Sequence, residues 1–190
     1  MTPLFLEVYK INSKVCDSLV ELWKTSDNKG PGMVHSGIEL DVKDSIDLSF
    51  AVELGDYPAP QIWDYIDELQ VCIDNYSRSY PYCINPATPL VFEAINIQYY
   101  PPGGGFKIFH NERPSGQYGT RHLVFMTYLN TIEEDEEYQG GTEWFHQKFK
   151  LNAVKGNTVV WPADWTFTHK GIIAPLKEKF IITGWLNYAE

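Results

Sequence analysis

Apolar positions recur along this chain with two periods, and the change from one to the other divides it. Over residues 13–24, Val15, Leu19, Leu22 and Trp23 fall on one face of a helix. Over 61–76, Ile62, Ile66, Leu69 and Ile73, with Tyr65 and Cys72 beside them, keep that spacing. Pro58 and Pro60 stand at the entrance of this second helix, where a missing N–H costs little. Residues 28–37 between the helices are Gly/Pro-rich loop. After Pro89 the runs become short, β-branched and aromatic, predicting strands over 91–100, 121–130, 142–149, 157–161 and 179–188. Turn clusters separate them: Pro101-Pro102-Gly103-Gly104-Gly105, the acidic stretch 133–137, and Gly140-Gly141. Helices first and many short strands after predict a mainly β (α+β) fold. The expected core is a double-stranded β-helix, or jelly roll, buttressed by the helices on the outside of one sheet. With no repeat or low-complexity linker, one domain is expected over 1–190, with a helical support region at 1–85 and a jelly-roll core at 90–188.

Composition narrows the function. The chain is 44% apolar, enough for a packed interior, and 15% aromatic, which suits pleated surfaces. A net charge of -10 argues against nucleic acid and against an anionic membrane surface, since both need a Lys/Arg surplus. It is compatible with a small-molecule site or a basic peptide. Cys16, Cys72 and Cys83 are odd in number and widely spaced, so neither a zinc knuckle nor a disulfide framework is expected. Cys16 and Cys72 fall at apolar helical positions and read as core thiols. No basic-then-apolar leader opens the sequence and no long apolar run occurs, so the expected location is cytoplasmic. Oligomeric state is left open.

Three residues of metal-ligand type stand out. His110 and Glu112 form an H-x-E pair, and His169 lies 59 residues later, just before a strand. In extended chain, residues i and i+2 point to one side, so the imidazole and carboxylate can meet on one cation. Two His and one carboxylate leave adjacent coordination positions open, as in non-haem Fe(II) oxygenases. Alone, an H-x-E pair is more often a solvated surface feature. His122 and His146, also on predicted strands, are rival ligands without a carboxylate in that position, and His35 is assigned no role. On strand 91–100, Asn96, Gln98 and Tyr100 share one face, a polar row that fits a wet cavity better than a dry core.

The surroundings of the pair add an ordered series of motifs. Tyr100 precedes His110 by ten residues across a Gly-rich turn and Phe106. Then come Tyr128-Leu129-Asn130 closing a strand, Gly140-Gly141-Thr142-Glu143-Trp144-Phe145, and Lys155-Gly156 leading to Trp161-Pro162. Lys179 follows His169 by ten residues and opens the run ending at Trp185. In this order and spacing the sequence resembles the 2-oxoglutarate- and Fe(II)-dependent oxygenases, in their prolyl 4-hydroxylase-like branch, over 95–185. The resemblance implies a jelly-roll dioxygenase in which His110, Glu112 and His169 ligate Fe(II). It implies that Lys179 pairs with the distal carboxylate of 2-oxoglutarate as a point charge. Tyr128 would hydrogen-bond that carboxylate, and Tyr100 would line the same pocket. Dioxygen is the other co-substrate, succinate and CO2 the by-products, and L-ascorbic acid the reductant. Two departures are visible: Glu112 stands where the family usually has Asp, and Ile181 where many members carry Ser or Thr.

For substrate, the resemblance favours a prolyl residue in a protein or peptide. A free amino acid or other small metabolite is a second reading, and a non-catalytic β-barrel binding protein a third. Glu112 opposes a halogenase, which needs a small residue there. The acidic charge, and the absence of paired arginines after His169, oppose a nucleic-acid demethylase. The segment 113–120, with Pro114, Ser115, Gly116 and Gly119, reads as a lid loop. Arg113, Tyr118, Trp144, Trp161 and Gln98 are the candidate substrate-facing residues. The acidic stretch 133–137 is a solvated turn, or a feature favouring a basic peptide.

Overall fold

The computed structural model describes residues 2–51, 59–85, 87–133 and 138–189. In chain order its strands are β1 (Glu7–Lys10), β2 (Gly30–Pro31), β3 (Lys43–Asp44), β4 (Ile46–Ala51), β5 (Leu90–Tyr100) and β6 (Gly105–Phe106). Then follow β7 (Arg121–Tyr128), β8 (Thr142–Trp144), β9 (Phe149–Leu151), β10 (Asn157–Pro162), β11 (His169–Gly171) and β12 (Lys179–Tyr188). The helices are α1 (Ser13–Thr25), between β1 and β2, and α2 (Pro60–Ser79), between β4 and β5.

Seven strands form the major sheet in the order β1-β10-β7-β12-β5-β4-β2, all pairs antiparallel. The second layer is the sheet β11-β8-β9 with the two-stranded β3-β6. Alternation along β7 shows how one strand serves both faces. Leu123 and Phe125 join the helices, whereas Val124, Met126 and Tyr128 pack between the layers with Trp144 and Trp161. This is the jelly roll expected from the order of elements.

The helices cover the outer face of the major sheet. Asn12 caps α1 by accepting from the Lys14 N–H, and Pro60 opens α2 at a position where its missing donor is unused. Pro58 lies outside the described residues. Cys16 and Leu19 of α1, and Ile62, Tyr65, Leu69 and Ile73 of α2, pack on Leu48, Ile95, Ile97, Phe125 and Ile182. All three cysteines are free, and burial raises the Cys16 and Cys72 thiols to about 11, as inert core thiols. No described helix is long and apolar enough to cross a membrane.

Three sequence expectations change. The N-terminal region is not purely helical: β1, β2 and β4 complete the major sheet, with Leu48 and Phe50 of β4 turned inward. The predicted strand 142–149 is two strands, β8 and β9, because a turn folds it back with Lys148 at φ 49°. His146 therefore sits on a turn, edge-on to Trp165. Of the acidic stretch, Glu133 is exposed and the rest lies outside the described residues.

Candidate active site

The path from β5 to the H-x-E pair is set by the glycine turn. Gly103 has φ +81°, and a side chain on Gly104 would run into the Pro101 ring and the Asp44 carbonyl oxygen. The chain thus doubles back through β6, which pairs with β3, and delivers His110 to His169. The two histidines exchange both backbone hydrogen bonds, at 2.9 and 2.8 Å, which sets their side chains on one side. Glu112 is fixed two residues on by its N–H donating to the Ala163 carbonyl oxygen at 3.1 Å.

The three side chains converge. Glu112 Oε1 lies 3.4 Å from Nε2 of His110 and 3.4 Å from Nε2 of His169. Both Nδ1 atoms face backbone carbonyl oxygens, of Ile108 at 3.0 Å and of Phe167 at 2.9 Å. A carbonyl only accepts, so each Nδ1 carries the proton and each Nε2 offers a lone pair. Two nitrogen lone pairs and a carboxylate meeting at one point repel one another unless a cation joins them. Each Oε1–Nε2 pair, 3.4 Å apart, subtends about 110° at a cation with bonds of about 2.1 Å, and all three donor atoms lie within 4.8 Å of one another, a grouping that can hold one metal ion. Burial alone would raise the Glu112 carboxyl, but hydrogen bonds and positive charge from His110 and His169, which they supply only when protonated at Nε2, outweigh it and hold the group well below the usual carboxylate range; a cation at the same point acts in the same direction. Burial, with the neighbouring His110, pushes His169 down and favours the neutral imidazole. Phe106 stacks on the His110 ring at 3.6 Å, and Trp161 meets His169 edge-on at 5.1 Å. These rings fix the imidazoles in place.

A cavity of 660 Å³ opens beside the triad, and Lys179 lies in its wall. Lys179 is 5% exposed, and burial alone lowers its ammonium to about 8. No carboxylate among the described residues pairs with it; its ammonium stands over the face of the Tyr100 ring, 5.0 Å from the centroid. An unpaired buried cation beside a cluster of acceptors fits a chelating dianion that reaches from one to the other.

The remaining candidates distribute as follows. Tyr100 and Gln98 line the cavity, linked by the Tyr100 hydroxyl donating to Gln98 Oε1 at 2.6 Å. Tyr128 is fully buried and does not line it; its hydroxyl meets Thr142 Oγ1 at 2.6 Å, and it is Thr142 that faces the cavity. Tyr118 lines the mouth with its ring 4.2 Å from the Arg121 guanidinium, and it meets His35 of the N-terminal loop at 5.9 Å. Trp161 is also in the wall. Trp144 is in the core behind it, packed on Trp161. Arg113 points away to Asp164 at 3.5 Å and is not part of the wall. His122 faces the other side of its sheet, bonded to the Tyr188 hydroxyl at 2.8 Å. Neither His122 nor His146 belongs to a ligand cluster among the described residues.

Sequence reasoning assigned no role to several wall residues. Lys43, buried at 5%, pairs with Asp47 at 2.6 Å, and Asp47 also accepts from Ser45 and Gln98. Thr142 was legible as part of its motif, but its bond to Tyr128 was not. Arg121 and Trp185 stand behind Glu112: Trp185 Nε1 donates to Glu112 Oε2 at 3.0 Å. No local sequence signal marks either contact.

Comparison with known proteins agrees with this geometry. Residues 95–187, about half the chain, match the family model of the 2OG-Fe(II) oxygenase superfamily. No curated protein sequence matches the chain. Among solved structures, a prolyl-4-hydroxylase of Pseudomonas putida superposes with TM-score 0.73 at 15% identity, over 96% of this chain and 92% of that one. A viral collagen prolyl hydroxylase of Paramecium bursaria Chlorella virus-1, solved with 2-oxoglutarate, gives 0.70 at 19% over 97% of each chain. A prolyl hydroxylase of Trichoplax adhaerens, bound to a peptide of hypoxia inducible factor, gives 0.73 at 15% over 96% and 83%. At these identities the likeness carries the fold, and the matched segment holds every element of the metal and ammonium site. The chain belongs to the 2OG-Fe(II) oxygenase superfamily, as a dioxygenase using Fe(II), 2-oxoglutarate and O2 on a prolyl hydroxylase-like fold.

Proposed function

We propose that the protein hydroxylates a prolyl residue in a protein or peptide, releasing succinate and CO2. The observation that carries the dioxygenase half of this reading is the pairing of two unsatisfied groups in one cavity: the convergent acceptors of His110, Glu112 and His169, and the lone ammonium of Lys179. His110, Glu112 and His169 hold the iron. Lys179 binds the distal carboxylate of 2-oxoglutarate. Thr142 adds a hydroxyl oriented by Tyr128, in place of the hydroxyl that Ile181 lacks, and Tyr100 packs its ring beneath the ammonium. Bound Fe(II) supplies the oxidative decarboxylation that turns dioxygen on a substrate C–H bond, with ascorbate as reductant. The chain's own work is to orient both reactants, keep the His169 imidazole neutral and exclude bulk water.

The prolyl half is supported by the fold of the neighbours, one of which holds a peptide, and by the shape of the mouth. The cavity opens between the N-terminal loop at Met33–Ser36 and the segment at Pro114–Tyr118. Met33 and Ile108 at this rim are exposed, an apolar border suited to a chain laid across it. One observation favours the second reading, a free amino acid. Lys43 in the wall, held by Asp47 at 2.6 Å, offers a cation to the carboxylate of such a molecule.

The test starts with anaerobic Fe(II) protein and 2-oxoglutarate, read by the weak visible charge-transfer band. The band should appear in the parent, vanish in His169→Ala, and need far more 2-oxoglutarate in Lys179→Ala. Substrate follows from succinate release with proline-containing peptides against free proline. Stimulation by the free amino acid alone would move the second reading to the front. No band at saturating iron and 2-oxoglutarate would refute the dioxygenase site.

A further inference from the structure

We infer that Trp185, backed by Arg121, is the positioning device that lets a glutamate serve where the family pattern has aspartate. It does so by tying down the carboxylate oxygen that faces away from the histidines. The inference rests on reading His110, Glu112 and His169 as the metal site.

Glutamate carries one more rotatable bond than aspartate. Left free, its carboxylate would swing, and both oxygens could reach the cation, closing a position that a co-substrate needs. The two oxygens of Glu112 have different partners. Oε1 is the one equidistant, at 3.4 Å, from the two Nε2 atoms. Oε2 accepts from the Trp185 indole N–H at 3.0 Å and lies 3.7 Å from Arg121 Nη1. An indole N–H donates and has no lone pair to offer a metal, so it holds the oxygen without competing for the cation. Arg121 also donates to the Glu112 backbone carbonyl at 3.1 Å, fixing the main chain of the same residue.

Arg121 is itself immobilised. It is buried, bonded through two nitrogens to the Glu93 carboxylate, and stacked between the rings of Trp185 at 3.7 Å and Tyr118 at 4.2 Å. Its guanidinium holds the Glu93 carboxyl below the usual range despite burial.

The sheet is irregular at this place. Both register shifts of the major sheet fall here, one opposite Trp185 between Gly184 and Leu186, the other beside Arg121 between Leu186 and Asn187. Such bulges re-aim side chains near active sites. Gly184 makes the first one possible, because a Cβ there would stand 2.4 Å from the Ala94 carbonyl oxygen. The distortion turns Trp185 toward Glu112 and Glu93 toward Arg121.

A double-mutant cycle on Mn(II) affinity of the full chain tests this. Trp185→Phe should weaken Mn(II) binding at least about tenfold, the lower end for loss of an outer partner of a ligand. In a Glu112→Asp background the same change should cost less than about twofold. A carboxylate set back by one C–C bond of about 1.5 Å cannot serve the metal and reach the indole together. The Co(II) absorption spectrum should shift on Trp185→Phe only when Glu112 is present. A second measurement needs no Trp variant: with Zn(II) bound, the Trp185 indole proton should exchange slowly in the parent and fast in Glu112→Asp. Equal losses in both backgrounds, or no loss in the first, would overturn the inference while leaving the metal site intact. Unchanged Mn(II) affinity in His169→Ala would instead remove the site itself.

Discussion

Replacing Lys179 by methionine should make the apo protein more stable while destroying its grip on 2-oxoglutarate. Lys179 is buried, without an ion-pair partner among the described residues, and burial alone lowers it from 10.5 to about 8. The gap of 2.5 pH units, at about 1.36 kcal/mol each, means that holding the ammonium in the fold costs about 3 kcal/mol at neutral pH. The sign follows from proton counting. Between about 8 and 10.5 the unfolded chain keeps the proton and the folded chain does not, so native stability rises with pH across that window. Below about 8 both states are protonated and the full penalty is present. Lys179→Met keeps the stem and removes the charge, so its stability advantage should approach 3 kcal/mol at pH 7 and shrink toward zero by about pH 10.5. The assay is urea unfolding of apo parent and variant at several pH values, beside a 2-oxoglutarate titration of the metal-loaded forms. A variant less stable than the parent at pH 7, or a gap that does not close on raising the pH, would refute the account of Lys179 as an unpaired ammonium awaiting an anion. The cost is the kind that functional sites carry, stability given up for binding.

Other outcomes are fixed by the same structure. In the parent, affinity for 2-oxoglutarate should fall as pH rises past about 8, because the free ammonium is lost there; a binding titration at pH 7 and 9 checks it. Metal affinity should fall as pH drops below about 6, since protons compete with the metal for the His169 imidazole, whose protonation burial delays; Mn(II) binding at pH 5 close to that at pH 7 would contradict His169 as a ligand. Thr142→Val should cost about 1–3 kcal/mol, because it strips the fully buried Tyr128 hydroxyl of its partner, and it should raise the KM for 2-oxoglutarate; denaturant unfolding and succinate assays read both. Gly184→Ala should destabilise by at least about 1–3 kcal/mol, since the new Cβ would meet both the Ala94 carbonyl and the Phe125 ring, and a thermal melt measures it.

Much of this was legible before any coordinates. Both helices announced themselves by a 3.6-residue apolar period, because each buries one stripe against a sheet. Strands β5, β7, β10 and β12 were visible because both their faces are packed, which demands long apolar and aromatic runs. The H-x-E pair could be named from its i, i+2 spacing, and the resemblance carried by the ordered motifs named His169 and Lys179 as its partners. Short edge strands such as β1 and β11 gave no comparable signal, because a few residues on an edge need no strict pattern. The 145–148 turn was hidden inside an aromatic run whose residues favour strand.

What the sequence determined by itself is therefore chemistry that is local or regularly spaced: the period of each element, the H-x-E pair and the order of the motifs. Tertiary structure alone decided which of Glu112's two oxygens faces the histidines and that Trp185, 73 residues away, holds the other. It alone showed that Tyr128 reaches the cavity through Thr142, that Trp144 stands behind the wall, and that Lys43 belongs to it. These contacts join residues distant in the chain through sheet register and two bulges, and register is a property of paired strands. A linear pattern carries the faces of each strand but not which neighbour each face will meet.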